Sequence, residues 1–198
     1  VQTIRRKDLK YMPYNPKQVP IQIGYYLAGF TDGEGSFSVV FRKRPDYNQA
    51  YKVSLCFNVS QKEKVILALF KKHLACGTLI ERPDGIWYYE VNNFNSILQN
   101  VIPFFKHFSF LSAKKKKDFA KFVQIAQIIQ EERHLTKEGI AQILRIRKEM
   151  NNGGANRRKY ADEDILQDLN EKADFKNPQR LHAKSTLSQT EKPLDKEE

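Results

Sequence analysis

The chain has 198 residues, 40% hydrophobic and 12% aromatic, which is enough apolar surface for a packed domain and excludes wholesale disorder. Its longest apolar runs fall far short of the ~20 residues a membrane span needs, so no membrane partner is expected. Net charge is +11 and uneven: residues 1–150 hold 25 Lys/Arg against 13 Asp/Glu, and residues 151–198 hold 9 against 10. The surplus lies on the part that folds, where it suits a phosphate-binding surface.

Residues 1–19 read as a basic N-terminal arm, with Pro13, Pro16 and Pro20 opposing a long helix. A compact apolar helix follows over 20–33, stopped by Gly33. The period then changes to two over 35–44 and 51–60, a hairpin of two strands turned over Pro45 to Gln49. Gln61 to Ala75 returns to helical spacing with Val65, Ala68, Leu69 and Leu74 inward, and Gly77 ends it. A second hairpin, near 78–82 and 86–91, turns on Pro83-Asp84-Gly85. In its second strand, Trp87-Tyr88-Tyr89 hides which face enters the core. Residues 93–108 and 113–132 read as helices, and Thr136 caps another to about Met150. This order predicts an α+β domain over 20–150 with an antiparallel sheet. Residues 151–198 are expected to be a linker and tail, partly disordered, with one short helix over 161–173. Two cysteines, Cys56 and Cys76, cannot build a disulfide framework, which suits a reducing compartment. His73, His107, His134 and His182 lack zinc-site spacing.

Residues 27–35 read Leu-Ala-Gly-Phe-Thr-Asp-Gly-Glu-Gly. Gly24 with Ala28, and Gly29 with Gly33, place small residues four apart on a helix, where they permit close helix–helix approach. Asp32 and Glu34 fall at the helix C-terminus, where the dipole disfavours negative charge and a bound cation would reverse the penalty. The spacing leaves two readings open. One is a core helix ending in a tight turn with solvated acids. The other is two copies of this helix, packed at Gly24, Ala28, Gly29 and Asp32, delivering acids to a shared metal centre.

The stretch GYYLAGFTDGEGSF resembles the LAGLIDADG signature of homing endonucleases and related RNA maturases. The two alternating strands with Ser60-Gln61, the lysine-rich start at Lys114 to Asp118, His134-Leu135-Thr136 and Met150-Asn151 extend the resemblance over about 20–155. It implies the homing endonuclease fold, αββαββα with a curved antiparallel sheet on helices. It also implies site-specific double-strand cleavage of a long, nearly palindromic DNA, promoting intron mobility. Mg2+ is the implied cofactor, with Mn2+ substituting. By resemblance, Glu34 is the metal ligand with the Gly33 carbonyl, Gln61 orients water, and one lysine of the 114–117 run, assigned as Lys115, is the basic residue near the cleaved phosphate. Val65 stands where some relatives carry a second basic residue.

The polar sides of the strands are expected to face DNA: Ser38, Val40, Arg42 and Arg44, then Lys52, Ser54, Cys56 and Asn58, with Tyr47 at the loop and Arg82 on the third strand. Arg145, Arg147 and Lys148 grip phosphate or form a solvated helix face. A single motif without a second copy predicts a C2 homodimer. An intracellular setting is expected, in an organelle (chloroplast or mitochondrion) or a bacterial cytoplasm. An RNA maturase acting on intron RNA and a non-catalytic DNA-binding regulator are the rival readings; an intact Glu34 and Gln61 favour cleavage.

Overall fold

The structure is a computed structural model that describes residues 13–44, 51–151 and 160–171. Four antiparallel strands form one sheet: β1 (Gly35–Lys43), β2 (Tyr51–Gln61), β3 (Thr78–Glu81) and β4 (Trp87–Val91), in the order β1-β2-β4-β3. Alternation decides which face is which. Phe37, Val39 and Phe41 of β1, Val53, Leu55 and Phe57 of β2, and Tyr89 and Val91 of β4 are all buried. They line the side covered by helices, and their neighbours in sequence line the other side.

The first helix, α1 (Ile21–Glu34), buries Gly24, Leu27, Ala28 and Thr31, a stripe at helical spacing. It runs one residue past the expected stop and so includes Glu34. The Gly35 N–H then closes onto the Thr31 carbonyl. A Cβ on Gly35 would collide with the Thr31 side chain, so the abrupt change from helix to strand requires glycine here.

Helix α2 (Lys64–Leu74) starts later than the sequence suggests, because Gln61 still belongs to β2. Its buried face is Leu67, Phe70 and Leu74, whereas Val65 and Ala68, expected inward, are exposed. The expected helix over 93–108 is irregular. It is α over Phe94–Ser96, π over Ile97–Val101 and α again over Ile102–His107, together α3. Pro103 has no N–H to bond to the carbonyl four residues back, which accounts for the widened turn beside it. Helices α4 (Ala113–Gln130) and α5 (Lys137–Lys148) follow, each opened by a side-chain cap: Ser112 accepts from Lys115 N, and Thr136 from Gly139 N.

Phe37 lies at the centre of the core, with its ring within 6 Å of those of Phe57, Phe105, Phe110, Phe119 and Phe122. Asn151 ties this centre to the helices: its amide donates to the Phe37 carbonyl (2.8 Å), and its N–H to buried Asp118 (3.0 Å).

Two segments assigned to the ends by sequence pack on the body instead. In the arm, the Tyr14 hydroxyl donates to the His73 carbonyl and Val19 joins the core. In the tail, α6 (Asp162–Glu171) buries Ile165 and Leu169. Arg147 is therefore not on a phosphate-gripping surface. It is buried, 3.4 Å from Asp162 and over the Phe41 ring.

Candidate active site and nucleic-acid interface

Glu34 is exposed at the C-terminal end of α1 and has no hydrogen bond or ion pair among the described residues. Gly33 beside it is also exposed. Antiparallel register pairs Gly35 with Val59, so β2 carries half-buried Gln61 two residues further, to the sheet end at which α1 delivers Glu34. There Gln61 Oε1 accepts from the Lys62 N–H (2.8 Å).

Lys115 completes the group. Of Lys114, Lys115, Lys116 and Lys117, only Lys115 is half-buried; the others are exposed. Its Nζ donates to the Gly35 carbonyl, at the turn that follows Glu34. Burial pushes its ammonium below the ordinary lysine range, and the charges of Asp118, Asp32 and Glu34 oppose that shift.

Asp32 sets this geometry. It accepts from the Leu111 and Ser112 N–H groups (3.0 Å each) and from the Ser112 hydroxyl (2.5 Å). Ser112 in turn caps Lys115 N. Partial desolvation raises the Asp32 carboxyl; the Ser112 and Leu111 hydrogen bonds and Lys115 outweigh it and hold the carboxyl below its usual range. Asp32 thus docks the start of α4 onto the end of α1, within its own chain.

The other expected interface residues also divide. Gly24 faces its own Phe108, whose ring occupies the space a Cβ would take, and Ala28 is buried. Neither is available to a second chain. A Cβ added at Gly29 or Gly33 would meet no other part of the chain within 4 Å, and Tyr25 and Tyr26 beside them are half exposed.

On the sheet face away from the helices, Ser38 pairs with Cys56, Val40 with Ser54, and Arg42 with Lys52. Ser38, Val40, Ser54 and Asn58 are half-buried, and Arg42, Arg44, Lys52 and Arg82 are exposed. Arg42 and Lys52 are like charges directly opposite, a destabilising pair unless an anion lies over them. Lys43, one residue on, points the other way to Asp168 (2.8 Å). Arg82 stacks on Tyr88, 3.8 Å from the ring. Tyr47 lies outside the described residues.

The aromatic triplet resolves by parity: Tyr89 is fully buried, Trp87 lies under Lys64 (4.0 Å), and Tyr88 is on the open face. Parity also places Glu90 on that face, a residue the sequence reading passes over because the triplet conceals the alternation. The burial of Tyr89 and Val91 is the signal that reveals it.

No group of three or more His, Cys, Asp or Glu able to hold a metal occurs among the described residues. One chain offers the Glu34 carboxylate and nearby backbone carbonyls: hard oxygen donors, few in number, exposed at the negative end of a helix. That set fits a hard divalent cation whose remaining ligands come from outside the chain, such as phosphate, water or a second carboxylate.

Comparison with known proteins shows the family and the fold. A family model described as LAGLIDADG endonuclease matches residues 27–126. The chain is 31% identical over 119 residues to an uncharacterised cox1 intron-2 protein of Schizosaccharomyces pombe, covering 60% of this chain and 35% of that protein. It spans about a third or less of the fungal relatives it matches. Among solved structures, it is similar to the archaeal intron-encoded homing endonuclease I-Vdi141I in complex with DNA (TM-score 0.68, 27% identity, 77% of this chain and 96% of that one). It is also similar to meganuclease I-SmaMI bound to uncleaveable DNA (TM-score 0.64, 30% identity), covering 69% of this chain and 46% of that one.

Proposed function

The chain belongs to the LAGLIDADG endonuclease family, and from that premise we propose that it is a homing endonuclease that cuts both strands of a long, nearly palindromic DNA site by metal-dependent hydrolysis, promoting intron mobility. One observation carries the reading: Glu34, without a partner among the described residues, stands at the helix end where Lys115 is drawn onto the Gly35 carbonyl, with Gln61 at the same end of a sheet whose open face bears Arg42 and Lys52.

In this reading Glu34 and the Gly33 carbonyl hold a divalent cation, Mg2+ with Mn2+ as substitute. Such a cation supplies positive charge to the phosphoryl oxygens and acidifies water. Lys115, its ammonium held close to the scissile phosphate, stabilises the extra negative charge that builds there as the P–O bond breaks. The Gln61 amide orients the attacking water. Arg42, Arg44 and Lys52 contact phosphates and guanines, and Ser38, Ser54, Asn58 and Arg82 complete the groove contacts, with Val40 against a thymine methyl. Tyr47 is assigned to the same surface.

One chain brings one acid to the centre, so two copies meet about a C2 axis along the Gly29–Gly33 face of α1. That I-Vdi141I is matched over 96% of its length, but I-SmaMI over 46%, agrees with this chain acting as one half of a two-part unit. Fungal intron relatives favour an organelle as its place of action.

The test is incubation of the protein and its Glu34→Gln variant with a duplex DNA library and Mg2+. We expect sequence-specific double-strand breaks by the intact protein, and loss of breaks with binding kept in the variant. Specific binding without breaks by the intact protein, in Mg2+ and in Mn2+, would instead establish a DNA-binding regulator. A monomer by light scattering, both free and on DNA, would overturn the dimer.

A further inference from the structure

Among the described residues, the open face of the sheet is basic or neutral except at one place. Ser36, Asn58, Glu90 and Thr78 stand side by side, the open-face row that crosses all four strands among the described residues. Glu90 is half-buried and has no cationic partner among the described residues. The nearby guanidinium, Arg82, stacks on Tyr88 instead. Asn92 Nδ2 donates to Glu90 Oε1 (2.8 Å), which fixes the carboxylate and leaves Oε2 able to accept. Burial first, and then the Glu90 charge, push the neighbouring Cys56 thiol up, so the negative field reaches across the face.

A fixed carboxylate facing a polyanion is repelled unless a donor meets it. Base edges in the major groove differ in this respect. Guanine presents two acceptors, thymine an acceptor and a methyl, and adenine a donor beside the N7 acceptor. Cytosine alone presents an amino donor with no acceptor on its own edge.

We propose that Glu90 is a specificity-determining residue that reads a cytosine amino group in the major groove of each half-site. This rests on the sheet being the DNA-contacting face. Asn92 is its positioning residue: it aims the carboxylate and touches no base.

The experiment compares the intact protein with its Glu90→Gln and Asn92→Ala variants on a duplex library randomised across the target, in Mg2+. Profiles are read from both the cut and the bound duplexes. The intact protein prefers cytosine at one position of each half-site by about tenfold or more. Glutamine, a donor and acceptor together, moves that position to adenine and leaves the others unchanged. Asn92→Ala keeps cytosine with a weaker preference. An unchanged profile for Glu90→Gln overturns the inference. So does a uniform gain in binding across sequences, which would make Glu90 a phosphate-repelling charge. If the intact protein enriches bound DNA without cutting it, the endonuclease reading fails while the role of Glu90 is still scored on the bound profile.

Discussion

Asp32 and Glu34 are two carboxylates, one residue apart, at the unfavourable end of one helix, and the fold treats them differently. Asp32 escapes the penalty because the N-terminus of α4 lies against it. There, unpaired N–H groups and the positive end of a second dipole favour a carboxylate. Glu34 receives no such partner among the described residues, which suits the metal-holding role proposed for it. The pH dependence follows. The Asp32 carboxyl titrates lower in the folded state than in the unfolded chain, where an aspartate has a pKa of ~3.9. Its stabilisation is therefore fully present above that unfolded value and is lost as pH falls through the folded one. We expect the Tm difference between the protein and Asp32→Asn to be largest near neutrality and to close in acid below about pH 4. A difference that stays constant from neutrality into that acid range would show that the charge is not what docks α4.

Helix α1 carries the two small pairs on two different faces. At Gly24, alanine gains ~1 kcal/mol of helix propensity but puts a methyl into the fully packed Phe108 ring, and overpacking of that kind costs about 1–3 kcal/mol. We therefore expect Gly24→Ala to lower Tm despite its better helix propensity. At Gly29 the space is open. Gly29→Leu should leave the stability of the single chain within about 1 kcal/mol of its parent and weaken association, seen as monomer by sedimentation or light scattering. The same mass for both proteins at every concentration would remove the Gly29–Gly33 face from the assembly. The sequence places both pairs at i, i+4 but cannot say which face meets Phe108, because Phe108 is 84 residues away in the chain.

For the molecule as a whole, α6 packs at the turn end of the β1–β2 hairpin. Tyr51 donates to Asp168 (2.5 Å), Lys43 pairs with the same carboxylate (2.8 Å), and Lys148 pairs with Glu163 (2.9 Å). Surface pairs of this kind contribute little, at most about 1 kcal/mol each. The weight lies in Ile165 and Leu169, each fully buried and stabilising by about 1.5–3 kcal/mol, and in the buried Arg147–Asp162 contact. A chain ending after Asn151 should therefore be less stable by about 3 kcal/mol or more, measured by urea titration. Equal midpoints would make α6 a passive appendage.

The amino-acid sequence by itself determined the local periods. It distinguished the strands from the helices around them, the Thr136 cap, and the acids at the end of α1, while the turn into β1 falls at Gly35 rather than at the expected Gly33. These are legible because each depends on residues within a turn or two of one another. It determined the faces less well. Val65 and Ala68 read as inward, and the aromatic triplet left Glu90 unseen, because a strand or a short helix shows a pattern without saying which side the rest of the chain will cover. Only the tertiary structure decided that Lys115 is the lysine at the Glu34 end, that Asp32 is a cap, that Arg147 is buried, and that residues 13–19 and 160–171 join the body. Each of those depends on partners about 15 to 120 residues away, brought together by burial of a shared aromatic core.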